Sequence, residues 1–212
     1  MRLLVTMLSI TVLVGCSGEK KDAASELPQN EQVARAAAGE LIADFSTDLK
    51  GELVTAMSSG GPLGALDVCK VKAPEIALAH TQEGVWSIKR VSERFRNPDN
   101  EASAAELKIL EMFADTSGDA LPRWSEWTTS DGGDSTFTLF QAIRVNDLCL
   151  KCHGGADQLA PGVADKLAEL YPNDRATGYA AGDLRGMFVV TIAWPEAKAA
   201  AEKLAAPKAS AY

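Results

Sequence analysis

The stretch RWSEWTTSDGGDSTFTLFQAIRV, residues 123–145, contains two runs of strand-forming residues joined by a short polar segment. Arg123–Thr129 and Thr136–Val145 are rich in aromatic and β-branched residues, which favour the pleated conformation of a strand. Ser130–Ser135 between them contains two adjacent glycines, which supply the backbone freedom that a hairpin loop needs. The stretch therefore predicts a β-hairpin, and with it an antiparallel sheet.

Further elements on both sides of the hairpin complete a mixed pattern. Two more strands are predicted, over Val85–Ser92 and from Gly186 onward, with a turn at Arg96–Asn100. The spacing of apolar residues predicts three helices, over Glu31–Met57, Ala65–His80 and Ser103–Asp115. Glycines and a proline in Ser58–Gly64 end the first helix, and Pro74 kinks the second. Strands that occur as a hairpin and as singles among helices indicate an α+β fold with an antiparallel sheet flanked by helices.

Composition limits the classes of function. The chain has 212 residues with a formal net charge of −8, so nucleic acid and anionic membrane surfaces are poor electrostatic partners. The length fits one domain, which we place at residues 31–206, with a short tail at 207–212.

The N-terminus predicts export and lipid anchoring. Arg2 precedes an apolar run, Leu3–Val14, that has the length of a signal-peptide core and is too short to span a bilayer. The run ends in Leu-Val-Gly-Cys, which resembles a bacterial lipobox, so residues 1–15 are predicted to be a signal peptide and Cys16 the lipidated first residue. In that resemblance Ser17 favours the outer membrane. The segment after it is polar, charged and without apolar periodicity, so residues 16–30 are predicted to form a flexible tether in the periplasm. An ordinary signal peptide or an uncleaved anchor is the alternative.

The segment Cys149-Leu-Lys-Cys152-His153 contains a C-x-x-C-H motif. Two cysteines three residues apart on one helical turn present both sulfurs on one side, where they can form thioethers with the vinyl groups of one haem. The adjacent histidine then lies beneath the iron. The motif therefore predicts one covalent haem c, in a compartment where such attachment occurs. A structural disulfide or a redox-active pair of cysteines is one alternative. A zinc site built from Cys69, His80, Cys149 and Cys152 is another.

Cys69 is the cysteine left without a role once the other three are assigned. It lies on an apolar helix face, where a free cysteine is most often a small core residue, yet its thiolate is also a strong iron ligand. The sixth coordination position therefore stays open between Cys69, His80, a methionine (Met57, Met112 or Met187) and no protein ligand. Helix geometry separates Cys69 from His80 by roughly 16 Å along the axis, so both cannot reach one iron.

Arginines near the Arg96–Asn100 turn are candidates for binding the haem propionates, because the guanidinium fork matches a carboxylate. Arg90 and Arg96 are the principal candidates, with Arg94 beside them and Arg185 as a weaker one. A solvated basic turn is the alternative. Tyr171, Tyr179 and Trp194 are either core residues or aromatic contacts of the porphyrin.

Four segments together resemble a family of bacterial periplasmic c-type haem-binding domains with a PAS-like fold. They are VCKVKAPEIA (68–77), RVSERFRNPDN (90–100), CLKCHG (149–154) and YPNDRATGYAAGDLRG (171–186). The family occurs as stand-alone secreted proteins and lipoproteins, and as sensor inputs of histidine kinases and chemoreceptors. The resemblance spans about residues 31–195 and implies that Cys69 faces the haem. The segment EASAAELKILEMF (101–113) departs from the family, which tends to have a tryptophan and another proline there.

A sensor is the function that we predict, with electron transfer as the alternative. A thiolate-bound iron favours the ferric state and a low potential, which suits a sensor of redox state or of a small ligand. We expect no transmitter domain, and therefore expect an unknown partner protein to receive the signal or the electrons. We expect no enzymatic activity, no nucleic-acid partner, and contact with the membrane only through the lipid anchor.

Overall fold

The computed structural model describes residues 23–116 and 121–206. Its helices are α1 (Ala23–Asp67), α2 (Ala73–Ala79), α3 (Ala104–Ala114), α4 (Leu150–His153), α5 (Val163–Leu170) and α6 (Lys198–Ala205). Its strands are β1 (Trp86–Val91), β2 (Arg123–Thr129), β3 (Ser135–Arg144) and β4 (Leu184–Trp194). None of the helices among these residues has the length and apolar character that crossing a membrane requires. Cys16, the signal peptide, residues 16–22 of the predicted tether and the tail at 207–212 lie outside the described residues.

The four strands form one antiparallel sheet in the order β1-β4-β3-β2. The predicted hairpin is confirmed, because β2 and β3 pair from Arg123↔Gln141 to Thr129↔Ser135. β4, the last strand in the chain, lies between β1 and β3 and is buried along most of its length. The α+β fold with an antiparallel sheet flanked by helices is thereby confirmed.

Helices cover both faces of the sheet. On one face, Phe45 and the neighbouring apolar residues of α1 pack against Phe137, Phe188 and Ile192, and α6 packs beside α1. On the other face, Leu110 and Phe113 of α3 pack against a second set of strand residues, Val91, Phe140, Ala142, Met187 and Val189. The two central strands are thus buried on both sides, and six consecutive residues of β3, from Phe137 to Ala142, are buried, including the polar Thr138 and Gln141.

The first helix differs from its predicted bounds at both ends. It begins at Ala23, so residues 23–30, predicted to be tether, are helical. At its other end the helix runs past Met57 as far as Gly61, whose φ of 62° lies in the left-handed region and is not helical, and a second helical stretch leads from there to Asp67. The predicted break within Ser58–Gly64 is thereby confirmed.

The second predicted helix contains a π-helical turn, Val68–Lys72, which we call the Cys69 turn. Pro74 has no backbone N–H and would leave the carbonyl of Lys70 without its helical donor. The turn is widened instead, and the N–H of Ala73 donates to the carbonyl of Val68. The predicted kink at Pro74 therefore takes the form of a π turn that begins one residue before Cys69.

The third predicted helix is confirmed as α3, at the place where the sequence departs from the resembled family. Ser103 caps it, and Glu106 completes a capping box by accepting from the backbone N–H of Ser103 at 2.8 Å. Lys89 of β1 forms a 2.8 Å ion pair with Glu106 and joins this helix end to the sheet.

Candidate haem site

The C-x-x-C-H segment forms the helical turn that its spacing predicts. The backbone N–H of His153 donates to the carbonyl of Cys149 at 2.9 Å, so the two cysteines lie on one turn. Both thiols are free and partly buried. The side-chain oxygen of Asn146 accepts from the Cys149 thiol at 3.2 Å and from its backbone N–H at 3.3 Å, which fixes the start of the turn.

The imidazole of His153 is held in one orientation. Its Nδ1 lies 2.7 Å from the backbone carbonyl oxygen of Ala176, and since a carbonyl only accepts, Nδ1 carries the proton. The lone pair is therefore on Nε2. Burial lowers the pKa of His153 well below its usual value, and the charges of Arg96, Arg185 and Arg90 lower it further. A neutral imidazole with Nδ1–H on a backbone carbonyl is the form that binds a metal through Nε2.

The loop at residues 171–179 holds this turn from the other side. The backbone N–H groups of Gly178 and Tyr179 donate to the carbonyls of Gly154 and His153 at 2.8 and 3.0 Å. Gly154 has no room for a side chain, because a Cβ there would lie 2.7 Å from the carbonyl oxygen of Leu150. The loop and the turn therefore form one unit.

Arg96 lies at the centre of that unit and is only 6% exposed. Its Nη2 donates to the carbonyl of Cys152 at 2.7 Å and forms an ion pair with Asp174 at 3.1 Å. The same Nη2 lies 3.4 Å from the carbonyl oxygen of Ala176, the group that also accepts from His153. Its Nη1 is buried and has no hydrogen-bond partner among the described residues. Arg96 thus ties the turn to the loop and keeps one buried donor unused.

Cys69 interacts electrostatically with the arginines that surround the C-x-x-C-H turn. Burial raises the pKa of its thiol, and the charges of Arg90, Arg96 and Arg185 oppose that increase. Burial also raises the pKa of Cys152, where Arg96 lowers it and Cys69 and Cys149 raise it. Cys69 and the C-x-x-C-H turn therefore share one cationic environment.

The other predicted arginines differ in how fully the protein uses them. Arg90 lies 5.3 Å from the ring centre of Phe45 and makes no hydrogen bond or ion pair with any described residue. Arg185 donates to the hydroxyl oxygen of Ser92 at 2.9 Å, and Arg94 donates to the carbonyls of Arg175 and Thr177. Arg94 therefore stabilises the loop through hydrogen bonds, whereas the N–H groups of Arg90 form no hydrogen bond with the described residues.

The aromatic candidates divide between the site and the core. Tyr171 is buried among Leu66 and the residues that pack on Cys152, and burial is the main reason that its pKa is raised to about 12. The ring of Tyr179 makes an edge contact with the imidazole of His153, with 6.4 Å between their centres. Trp194 lies elsewhere, packed against Trp127 in the core beneath α1.

The remaining candidates for the sixth position lie away from the site or have other partners. His80 caps α2, and its Nε2 lies 2.8 Å from the carboxylate of Asp48 on α1. Met187 is fully buried under α3, and Met112 is exposed on the outside of that helix. Met57 lies partly exposed on α1.

Two rival interpretations of the cysteines were a pair of redox or structural cysteines and a zinc site. Cys69, Cys149 and Cys152 are free thiols, which is also the reduced form of a redox-active pair. Within residues 23–116 and 121–206, no three histidine, cysteine or acidic side chains are grouped as a metal site requires, which argues against the zinc alternative. A cavity of about 290 Å³ adjoins the site at Arg96 and Tyr171, but neither the cysteines nor His153 line it.

Three residues of the site were not predicted as functional from the sequence. They are Ala176, which fixes His153 through its carbonyl oxygen, Asp174, which pairs with Arg96, and Asn146, which holds Cys149. Ala176 and Asp174 lie in the segment YPNDRATGYAAGDLRG, so the family motif was the one signal that pointed to them.

A family model, described as Tll0287-like, matches residues 19–193, which is most of the chain. The chain belongs to the Tll0287-like family. Among solved structures it is similar to one titled "Crystal structure of the cyanobacterial heme-protein Tll0287". The two share 28% sequence identity and a TM-score of 0.50 over 73% of this chain and 91% of the other. No curated protein matches the chain.

Proposed function

We propose that this member of the Tll0287-like family binds one haem c covalently through Cys149 and Cys152, with His153 as the proximal iron ligand. The solved family member is described as a haem protein. The observation that carries the proposal is the geometry of one turn. It presents two free thiols and an imidazole whose Nδ1–H is held by Ala176, so that Nε2 is available to iron.

The surrounding charges also fit a haem group. Haem carries two propionates, and the site contains guanidiniums that the protein leaves partly unused. Arg96 has a buried Nη1 without a partner, and Arg90 makes no hydrogen bond or ion pair with the described residues. An unpaired buried donor is costly, so an acceptor from outside the chain would stabilise it. We assign Arg90 and Arg96 to the propionates.

We further propose that Cys69 is the second axial ligand and that the protein works as a PAS-like sensor of redox state or of a small ligand. When bound, haem supplies an iron whose hold on an anionic sulfur depends on oxidation state. Burial raises the pKa of the Cys69 thiol, and the charges of Arg90, Arg96 and Arg185 oppose that increase by favouring the thiolate, the form that would bind iron. Cys69 lies in a π turn, an irregular helix geometry that often marks functional sites, and movement of this turn is the candidate signal.

The cellular setting belongs to the same proposal. We place the mature protein in the periplasm, anchored to the outer membrane through lipid on Cys16, and passing its signal to a partner protein without enzymatic activity of its own. The lipobox-like sequence and the acidic composition support this setting.

Covalent attachment is tested by denaturing electrophoresis of periplasmically matured protein, followed by haem staining. Wild type should keep the stain, and the Cys149→Ala, Cys152→Ala double variant should lose it. A Cys69→Ala variant is the matched control and should keep it. A stained double variant would contradict the proposed attachment.

Axial ligation is tested by absorption and spin-resonance spectra of wild type, Cys69→Ser and His80→Ala. We expect a low-spin ferric spectrum that Cys69→Ser changes and His80→Ala does not. Carbon monoxide should bind the reduced protein once the thiol has withdrawn. The opposite pattern, with only His80→Ala altering the spectrum, would favour the alternative of a bis-histidine electron carrier.

A further inference from the structure

A cavity of about 360 Å³ lies between α3 and the start of β4. Its apolar walls are formed by Leu107 and Leu110 of α3 and by Leu184 of β4. The volume is at the lower end of the range of about 300–1,000 Å³ that small-molecule pockets occupy. The cavity is therefore large enough for a compact organic molecule with an apolar part.

Opposite charges line the inner and outer parts of the cavity. Inside, two guanidiniums, those of Arg94 and Arg185, are partly buried beside Ser92 and Tyr179, and neither forms an ion pair with a carboxylate of the described chain. Arg94 already donates to the carbonyls of Arg175 and Thr177. At the mouth, Glu93, Glu111 and Asp183 are exposed. No ion pair joins these three carboxylates to a cation among the described residues.

This arrangement selects for a particular kind of molecule. A simple anion that approached Arg185 would pass the carboxylates of Glu93, Glu111 and Asp183, and a simple amine would meet the guanidinium inside. A molecule with a carboxylate at one end, an ammonium group beside it and an apolar side chain satisfies both sets of charges and the walls. We propose that this cavity binds a small zwitterion of the apolar α-amino acid class, with its carboxylate toward Arg185 and its ammonium group toward the mouth.

The cavity is connected to the C-x-x-C-H turn through Tyr179. The ring of Tyr179 contacts the imidazole of His153, and its backbone N–H donates to the carbonyl of His153 at 3.0 Å. The same ring lies against Arg94 and Arg185, with 4.1 and 5.5 Å from each guanidinium to the ring centre. An occupant that contacts Tyr179 therefore perturbs His153. This coupling rests on the proposed function, whereas binding in the cavity does not.

Binding is tested by calorimetry of the mature, haem-loaded protein with L-leucine, 3-methylbutylamine and 4-methylpentanoate as probes. The last two lack the carboxylate and the ammonium group respectively. We expect L-leucine to bind at least tenfold more tightly than either, since charge-assisted hydrogen bonds are lost. No binding of L-leucine, or equal binding of all three probes, would overturn the proposal.

Two variants of α3 locate the binding site. Ala114 is exposed and lines the cavity, so Ala114→Trp should weaken L-leucine binding at least tenfold by filling it. Ala105 is exposed on the same helix but does not line the cavity, and Ala105→Trp should bind as wild type does. Glu111→Gln, a change in charge alone, should weaken binding about two- to fivefold. Equal binding by both tryptophan variants, each with a wild-type circular dichroism spectrum, would overturn the location.

Coupling to the C-x-x-C-H turn is tested by the ferric absorption spectrum during the same titration. A spectral shift that saturates with the calorimetric isotherm, and that Ala114→Trp abolishes, supports the connection through Tyr179. Saturated binding without a shift would overturn the coupling. Calorimetry still reports on the cavity if the protein proves to lack covalent haem, so failure of the proposed function is distinguishable from failure of this inference.

Discussion

Replacing Arg96 by methionine should destabilise the protein strongly. The change keeps an unbranched side chain but removes the buried cation that pairs with Asp174, whose side chain is only 10% exposed. It also removes the donor to the carbonyl of Cys152. Breaking a buried ion pair from one side costs about 3–5 kcal/mol, because the other charge is left buried and unpaired. For a chain of this size each kcal/mol corresponds to about 2–4 °C in Tm, so we expect a decrease of roughly 6–20 °C.

The measurement is thermal unfolding of protein with equal haem content, followed by circular dichroism. The double variant Arg96→Met, Asp174→Asn should recover at least about 1 kcal/mol relative to the sum of the two single changes, since it removes the unpaired carboxylate. Arg123→Met, an exposed arginine on β2, is the control and should stay within about 0.5 kcal/mol of wild type. A loss of less than about 1 kcal/mol for Arg96→Met, or strict additivity in the double variant, would refute the assigned role of this ion pair.

Three further predictions concern Glu106, Gly154 and the N-terminus of the mature protein. Burial raises the pKa of Glu106, but hydrogen bonds from Lys89 and Ser103 outweigh it and the net pKa is lowered. This stabilisation is present above the unfolded pKa and is lost as the pH falls through the folded one, so urea unfolding of Glu106→Gln should vary less than wild type between about pH 5 and 3. Gly154→Ala should cost about 1–3 kcal/mol in urea unfolding, because its Cβ would contact the Leu150 carbonyl oxygen and the Gln158 side chain, and a wild-type midpoint would contradict this. Mass spectrometry of the N-terminal peptide should find lipid-modified Cys16 as the first residue, and a peptide retaining Met1 would contradict it.

Sequence patterns predicted the elements that have strong periodicity or clear end signals. The hairpin at residues 123–145 was predictable because two runs rich in aromatic and β-branched residues flank a glycine pair, and α3 because Ser103 begins a helical apolar spacing. α5 and α6 were missed. α6 packs on α1 through small residues such as Ala197 and Ala201, and alanine gives little contrast between buried and exposed faces.

The parts of the candidate site that consist of side chains at a fixed spacing were predictable from the sequence. The parts that consist of backbone atoms were not. The positions of Cys149, Cys152 and His153 follow from the spacing of one helical turn. The carbonyl of Ala176, which selects the tautomer of His153, leaves no trace in the sequence because every residue has a carbonyl. The π turn at Cys69 was only partly predictable. Pro74 predicts an irregular helix there because it has no backbone N–H, but the sequence does not show whether the helix kinks or widens.

The position of β4 in the sheet sets the order in which the strands can pair during synthesis. β1 cannot pair until β4 arrives, about a hundred residues later in the chain, as the Trp86↔Ile192 partners show. Only the β2–β3 hairpin can close earlier. The C-x-x-C-H segment at 149–153 leaves the ribosome before β4 does, while the sheet is still incomplete. If haem is attached to Cys149 and Cys152 as proposed, an attachment enzyme can therefore meet both thiols before the last strand has paired.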